Sequence, residues 1–276
     1  MTTSVERFDE KARREFGKLG HTTVHEGELL RHPVYTRFLH WTVAIFFFLG
    51  LLSGLAIYSP WLFNWLTPLF GGGPMARLLH PWFGLMFVIA YLLQFLNWLS
   101  LMRWTRGDKE WMRHLKDYVK GEQKLEPEYV GFFNGGQKLQ FWEIIVGAGV
   151  LLISGLCMWL PELFGRLAVA IGYVLHDISA LIMLFGIWIH IYLSTVGQPG
   201  TLQSMTRGVV TRSWAWTHHP AWYRERTGRD PREDYQRAVE GQAGRRRAAE
   251  ARQSDASAAE PESEQLPKNA PVTSDK

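Results

Sequence analysis

The sequence predicts an all-α membrane protein, a bundle of four transmembrane helices with both chain termini in the cytoplasm. Three observations predict this class: four long apolar segments, basic residues confined to alternate connections, and aromatic residues near the segment ends. The 276 residues have a mean hydropathy of −0.10, because charge is concentrated outside the apolar segments. The aromatic content of 14 %, with 13 tryptophans, is typical of a chain with interfacial belts.

Four segments are long and apolar enough to cross a bilayer, which takes roughly 20 residues. We predict that spans 1 to 4 cover about 35–58, 75–102, 137–160 and 167–195. Pro60, Pro74 and Pro161 stand in the connections, where helices are expected to end. The first 37 residues are too long and too polar for a cleaved signal peptide, so span 1 is expected to remain in the protein.

The charges beside the spans predict the orientation. Seven Lys/Arg lie in the first 37 residues and seven between spans 2 and 3. The connection between spans 1 and 2 has none, and the one between spans 3 and 4 has only Arg166. By the positive-inside rule, both termini and the connection between spans 2 and 3 are cytoplasmic.

Composition divides the chain into four regions. We expect a polar cytoplasmic N-terminal segment at 1–34, a transmembrane domain at 35–195, a basic and aromatic cytoplasmic surface segment at 196–240, and a disordered tail at 241–276. No internal repeat is expected. The single cysteine, Cys157, excludes an internal disulfide and any cysteine-based zinc or iron–sulfur site within the chain.

Four histidines lie within the predicted spans. His176 and His190 are fourteen residues apart in span 4, which places them on one helix face at two depths about 21 Å apart. His40 lies near the cytoplasmic start of span 1, and His80 near the external start of span 2. Depth therefore pairs His80 with His176 as the outer pair and His40 with His190 as the inner pair. A single membrane histidine is more often a helix–helix hydrogen-bonding residue, but four that pair by depth favour metal ligands.

Two imidazoles that face each other across an apolar bundle are typical ligands of b-type haem. The di-iron Glu-x-x-His pattern is absent, and the lack of C-x-x-C-H excludes covalent haem attachment. Small residues in the spans either leave room for a flat macrocycle or serve ordinary helix packing. These residues are Gly50, Ser53, Gly54, Gly84, Gly147, Gly149, Ala180 and Gly186. We predict two haem b groups, forming a route for electrons across the membrane.

The stretch GFFNGGQKLQFW, residues 131–142, precedes span 3 on the predicted cytoplasmic side. Its paired glycines allow close backbone approach, and Asn134 and Gln137 carry amide donors and acceptors. The stretch is either an ordinary helix-start turn or part of a quinone pocket near the inner pair. Lys138 is expected to snorkel. Glu143 is expected either to snorkel to the interface or to donate a proton to quinone.

Over roughly Arg31–Arg226 the sequence resembles the membrane cytochrome b (gamma) subunit of respiratory formate dehydrogenase. The resemblance rests on FLHWTV, LLHPWFG, NGGQK, LH…IHIYL and RSWAWTHHPAWYRER. It implies that the outer haem is held by His80 and His176 and the inner haem by His40 and His190. It also implies that a site for menaquinone or ubiquinone is lined by Asn134, Gly136, Gln137 and His190.

The resemblance further implies a division of labour in the bacterial inner membrane. A molybdenum or tungsten alpha subunit would oxidise formate, and an iron–sulfur beta subunit would pass electrons to the outer haem. This chain would carry them through the inner haem to quinone near the cytoplasmic face. It would then be the quinone-reducing electron-transfer subunit of an enzyme whose formate chemistry lies on another chain.

Two alternatives remain at this stage. The chain could be the cytochrome b subunit of a nickel–iron hydrogenase or of a thiosulfate-type reductase, which also use dihaem bundles. It could instead be a haem-free membrane anchor or a proton-conducting subunit. A nucleic-acid-binding role is excluded as an interpretation, because the basic residues follow membrane sidedness and no binding motif occurs.

Overall fold

The computed structural model describes residues 24–115 and 128–259, with side chains described up to residue 253. The predictions for 1–23 of the N-terminal segment, for 116–127 of the basic connection and for 260–276 of the tail lie outside these residues.

Four long helices form the spans, and this confirms the predicted helical class with four membrane-spanning helices. Their bounds are Val34–Tyr58, Gly73–Trp98, Gly135–Trp159 and Pro161–Tyr192, and a π-helical turn, Leu193–Gly197, extends span 4. Each helix is long and apolar enough to cross a bilayer.

The helix ends differ from the predicted ends by up to six residues. Span 4 begins at Pro161, because proline suits the first position of a helix, and Gly165 then interrupts it with a φ of 74°. Span 2 follows Gly72, whose φ of 100° favours glycine, and it ends at Trp98 in a tight turn. Between spans 1 and 2 lie a short helix, Pro60–Leu66, and a 3₁₀ turn, Thr67–Phe70.

The spans pack as two hairpins. Span 1 packs along span 2, span 3 packs along span 4, and span 2 contacts span 3. Within the described residues, spans 1 and 4 do not pack along each other, and their backbones approach at very few positions. Phe87, Ala148 and Met183 fill the centre between the hairpins. The space between spans 1 and 4 is therefore the open side of the bundle.

Residues outside the spans form a folded cap at the end of the bundle that carries the basic connections. Strands Glu28–Leu30 and Val209–Thr211 pair antiparallel, with Leu29 opposite Val210. The cap also contains the short helices Arg106–Arg113, Thr201–Thr206, Arg212–His218 and Pro220–Thr227.

The cap differs from the surface segment expected at 196–240. Val209, Val210, Ala215 and Tyr223 are 0 % exposed, and Trp222 is 1 % exposed. Apart from Val209, these side chains pack with Trp98, Met102 and Phe132 from the neighbouring segments in one apolar cluster. The aromatic residues after span 4 are thus core residues of the cap.

The helix Pro231–Ala259 belongs to a separate compact unit and is described by itself. Disorder was expected from residue 241, yet the helix continues through the Ala-, Arg- and Glu-rich stretch, whose residues favour helix. Arg246 and Glu250 support it with an i, i+4 ion pair at 2.9 Å.

Candidate functional site

The structure brings the His80 and His176 rings together at the end of the bundle away from the cap. Their ring centroids are 6.1 Å apart. Each ring is held by a serine of the neighbouring helix: Ser53 Oγ lies 3.0 Å from His80 Nδ1, and Ser154 Oγ lies 3.0 Å from His176 Nδ1. Both Nδ1 atoms are therefore engaged, and the Nε2 atoms are left for a ligand.

The His40 and His190 rings meet near the cap, on the open side between spans 1 and 4. Their centroids are also 6.1 Å apart. His40 is half-buried and His190 is exposed. Within the described residues, His40 Nδ1 is buried without a hydrogen-bond partner.

The spacing of both pairs fits an iron atom with two axial imidazoles. Metal-to-imidazole nitrogen distances are about 2.0 Å, and a ring centroid lies roughly 1 Å behind its nitrogen, so axial rings sit about 6 Å apart. Among the described residues, no group of three or more His, Cys, Asp or Glu side chains could hold a metal ion. The histidines thus form pairs, as planar haem b requires.

The small residues in the spans have different surroundings. A Cβ added at Gly50, Gly84 or Gly149 would meet nothing within 4 Å, so these positions border open space. At Gly147 and Gly186 a Cβ would come within 2.7 Å of Met183 and Glu143 respectively. These last two glycines therefore serve close helix packing.

Asn134 and Gln137 form a capping box at the start of span 3. Asn134 Oδ1 accepts from the Gln137 backbone N–H at 2.9 Å, and Gln137 Oε1 accepts from the Asn134 backbone N–H at 3.0 Å. The box uses one oxygen of each amide and neither NH₂ group. A Cβ at Gly136 would lie 2.9 Å from Trp111, so the close approach at this glycine is made by the Trp111 ring.

Lys138 does not snorkel, contrary to expectation. It is 6 % exposed, and its Nζ donates to Asp108 Oδ2 at 2.7 Å and to the Arg103 carbonyl at 3.0 Å. Asp108 also accepts from the Thr105 backbone N–H and hydroxyl, both at 2.7 Å. This buried ion pair fastens the helix Arg106–Arg113 to the start of span 3.

Glu143 also does not reach the interface by snorkelling. Its Oε2 accepts from Gln140 Nε2 at 2.6 Å and faces Gly186 on span 4. Its Oε1 is buried without a hydrogen-bond partner in the described part of the chain. Gly186 lies one turn before His190, so the carboxyl group sits deeper in the bundle than the His40–His190 pair.

Three successive backbone carbonyls just before Asn134 are held by distant segments, which we call the carbonyl clamp. The Val130 carbonyl accepts from the Ala221 N–H at 3.0 Å, the Gly131 carbonyl from His219 Nδ1 at 2.7 Å, and the Phe132 carbonyl from the Arg31 guanidinium. The clamp fixes the backbone that leads into the capping box.

The buried Arg31 is the centre of the clamp, and sequence patterns did not reveal its role. Its guanidinium lies 4.5–4.9 Å from the ring centroids of Phe132, Trp214 and Trp222, and it contacts His219 Nε2 at 3.1 Å. Burial lowers the pKa of Arg31 to about 9. Burial and then the Arg31 charge lower the pKa of His219 well below its usual range, so its imidazole is neutral and bridges the two partners.

Residues 31–208 match the family described as Prokaryotic cytochrome b561. The chain is 35% identical over 200 residues to the cytochrome b556(Fdn) subunit of the nitrate-inducible formate dehydrogenase of Escherichia coli (strain K12), covering 71% of this chain and 91% of that one.

Two further relatives carry similar descriptions. The formate dehydrogenase cytochrome b556(fdo) subunit of the same strain is 32% identical over 200 residues, covering 71% of this chain and 92% of the relative. The formate dehydrogenase cytochrome b556 subunit of Haemophilus influenzae (strain ATCC 51907 / DSM 11121 / KW20 / Rd) is 31% identical over 225 residues, covering 79% and 91%. With four apolar helices and a family of b-type cytochromes, the chain is an integral membrane protein for which haem b is the implied cofactor. The chain belongs to the prokaryotic cytochrome b561 family.

Proposed function

We propose that this chain is the dihaem cytochrome b subunit of a membrane-bound formate dehydrogenase, and that it carries electrons to quinone. The observation that carries the proposal is the presence of two histidine pairs with the same 6.1 Å spacing at two depths of one bundle. The similarity to formate dehydrogenase subunits over most of the chain favours this enzyme over a hydrogenase or thiosulfate-type reductase.

Each histidine pair would hold one iron. His80 and His176 would be the ligands of the outer haem b, and His40 and His190 those of the inner haem b. Bound haem b supplies one-electron carriers about 20 Å apart along the membrane normal, since fourteen helical residues rise about 21 Å. The apolar helices exclude water from the route between them.

The quinone site would lie beside the inner pair. His190 is exposed on the side of the bundle where spans 1 and 4 stand apart, so a lipid-soluble molecule can approach its ring from the bilayer. The NH₂ groups of Asn134 and Gln137 are not used by the capping box and would donate to a quinone carbonyl. Gly136 and the carbonyl clamp would set the position of these amides. Menaquinone and ubiquinone share the carbonyl chemistry that this site would bind.

The basic cap would face the cytoplasm of a bacterial cell, with the protein in the inner membrane. The domain organisation we propose has a transmembrane dihaem domain at 35–195, preceded by a polar cytoplasmic segment at 1–34 and followed by the cytoplasmic segments 196–240 and 241–276. An iron–sulfur beta subunit would contact the end of the bundle near His80 and His176. A molybdenum or tungsten alpha subunit would oxidise formate.

Haem stoichiometry tests the proposal first. A pyridine haemochrome assay on the detergent-purified chain is expected to give two b-type haems per chain. A value of one haem per chain would mean that one of the two histidine pairs does not bind haem. None in a well-folded sample would overturn the proposal in favour of a haem-free anchor.

Variants that keep the capping box but change the free amides test the quinone site. Gln137→Glu and Asn134→Asp retain the oxygen acceptors of the box, since Glu at its third position and Asp at its first are good caps. Both lose an NH₂ donor, and we expect weaker quinone binding, read as a higher KM for quinol formation with both haems retained. Lys109→Gln, a change of charge on the neighbouring short helix, serves as the control. An unchanged KM in both capping-box variants would show that the Asn134 and Gln137 amides do not bind quinone.

A further inference from the structure

The two hairpins carry the same local motif, which corrects the expectation of no internal repeat. LLSGL at 51–55 and LISGL at 152–156 are 101 positions apart, and the same offset relates Trp41 to Trp142 and Pro60 to Pro161. In the second helix of each hairpin, His80 and His176 match at an offset of 96. The shorter offset reflects the longer connection between spans 1 and 2. Both first helices run away from the cap, so the repeats are parallel.

The matched residues make matched hydrogen bonds. Ser53 Oγ donates to the Leu49 carbonyl at 2.7 Å, and Ser154 Oγ donates to the Val150 carbonyl at 2.6 Å. Ser53 is 0 % exposed and Ser154 is 2 % exposed. Because a hydroxyl has one proton and each is given to the backbone, the oxygen can only accept from the histidine ring.

A backbone carbonyl assigns the same proton at His80. His80 Nδ1 lies 3.1 Å from the Gly50 carbonyl, which can only accept, so Nδ1 carries the proton in this ring. At His176 the contact between Ser154 Oγ and Nδ1 assigns the same tautomer. The lone pair then lies on Nε2, the atom that is free to ligate a metal.

The glycine after each serine leaves room for the ring. A Cβ at Gly54 would lie 3.0 Å from His80 Cε1, and a Cβ at Gly155 would lie 3.4 Å from His176 Cε1. The Ser-Gly dipeptide therefore supplies a hydrogen-bond acceptor to the ring and leaves the space that the ring occupies.

We propose that Ser53 and Ser154 are matched positioning residues for the His80–His176 pair, each presetting the tautomer and the orientation of its ring for iron. This inference rests on the proposed dihaem function. Within the described residues, His40 Nδ1 is buried without a hydrogen-bond partner, and the positions that match His40 and His190 in the other hairpin are Phe141 and Gln94. The two serines thus act on one haem only.

Serine-to-alanine variants test the inference with redox titration and haem binding. We expect Ser53→Ala and Ser154→Ala each to weaken haem binding at this pair by about 10- to 100-fold, the usual effect of losing an outer-shell partner. In samples supplied with excess haem, one of the two midpoint potentials should move upward while the other stays. The direction follows because a ring that loses one of its hydrogen-bond acceptors is a less basic ligand and stabilises ferric iron less.

Thr42→Ala is the matched control, since Thr42 Oγ1 donates to the Phe38 carbonyl at 2.9 Å, on the same helix as Ser53. It should leave both potentials unchanged. Unchanged haem affinity and potentials in both serine variants would overturn the positioning role while leaving two haems in place. Absence of haem from the unmodified chain would instead overturn the proposed function itself.

Discussion

Replacement of His190 by alanine is expected to leave one haem per chain instead of two and to abolish quinone reduction. In the proposed function His190 would be one of the two residues that hold the inner haem, and its partner His40 has a buried Nδ1 with no alternative partner in the described residues. Loss of a residue that hydrogen-bonds to a metal ligand weakens metal binding by about 10- to 100-fold. Loss of a ligand itself should weaken haem binding by more than this. Haemochrome content and a reduced-minus-oxidised spectrum measure the loss, and a quinone-reduction assay measures the activity.

A variant of the other histidine pair tests the same pairing independently. His176→Ala should remove the other haem, so the two single variants together should account for both. His114→Ala is the control, because His114 is exposed on the cap and belongs to neither pair. Two haems retained in His190→Ala would show that the pairing of the histidines is wrong.

Loss of the buried ion pair at the start of span 3 is expected to have the largest effect on stability. Asp108→Ala leaves the Lys138 ammonium group buried without its counter-charge. Removing one partner of a buried pair costs about 3–5 kcal/mol of unfolding free energy. The midpoint of unfolding in detergent measures this, read by near-UV circular dichroism.

The double variant Asp108→Ala, Lys138→Met should recover most of the loss. It removes both charges and keeps an apolar stem of similar length. The cap interaction with Thr105 and the hydrogen bond to the Arg103 carbonyl, worth about 1 kcal/mol each, stay lost. Glu250→Ala, which breaks an exposed ion pair, should change stability little. A single variant as stable as the unmodified chain would mean that the pair is solvated.

Length, hydropathy and helical periodicity were sufficient to predict the spans and to bring the histidines together in pairs. These properties act locally, since a helix of known pitch fixes which residues share a face and how far apart they lie. The ends of spans 2 and 4 were predicted less well. The helix of span 4 begins at Pro161, before the non-helical Gly165, whereas composition placed its start after this glycine.

The contacts that the sequence did not reveal join residues far apart along the chain. Lys138 near a span end is ambiguous until its partner Asp108, thirty positions earlier, is placed beside it. Ser53 and Ser154 look like ordinary helix hydroxyls that bond to their own backbone, and only the packing of the hairpins shows the rings that they support. Short identities such as Ser-Gly are too brief to establish a repeat before their contacts are seen to match.

The residues that form the carbonyl clamp are synthesised at widely separated times. Arg31 is synthesised before span 1, but Trp214, His219 and Trp222, which cover it, follow span 4. The backbone before Asn134 therefore cannot be locked while spans 3 and 4 are entering the membrane. The contacts of Arg31 in the cap can be completed only after residue 222 has been synthesised. A ribosome that stops after Gly197 would release a chain with all four histidines and an unfastened loop.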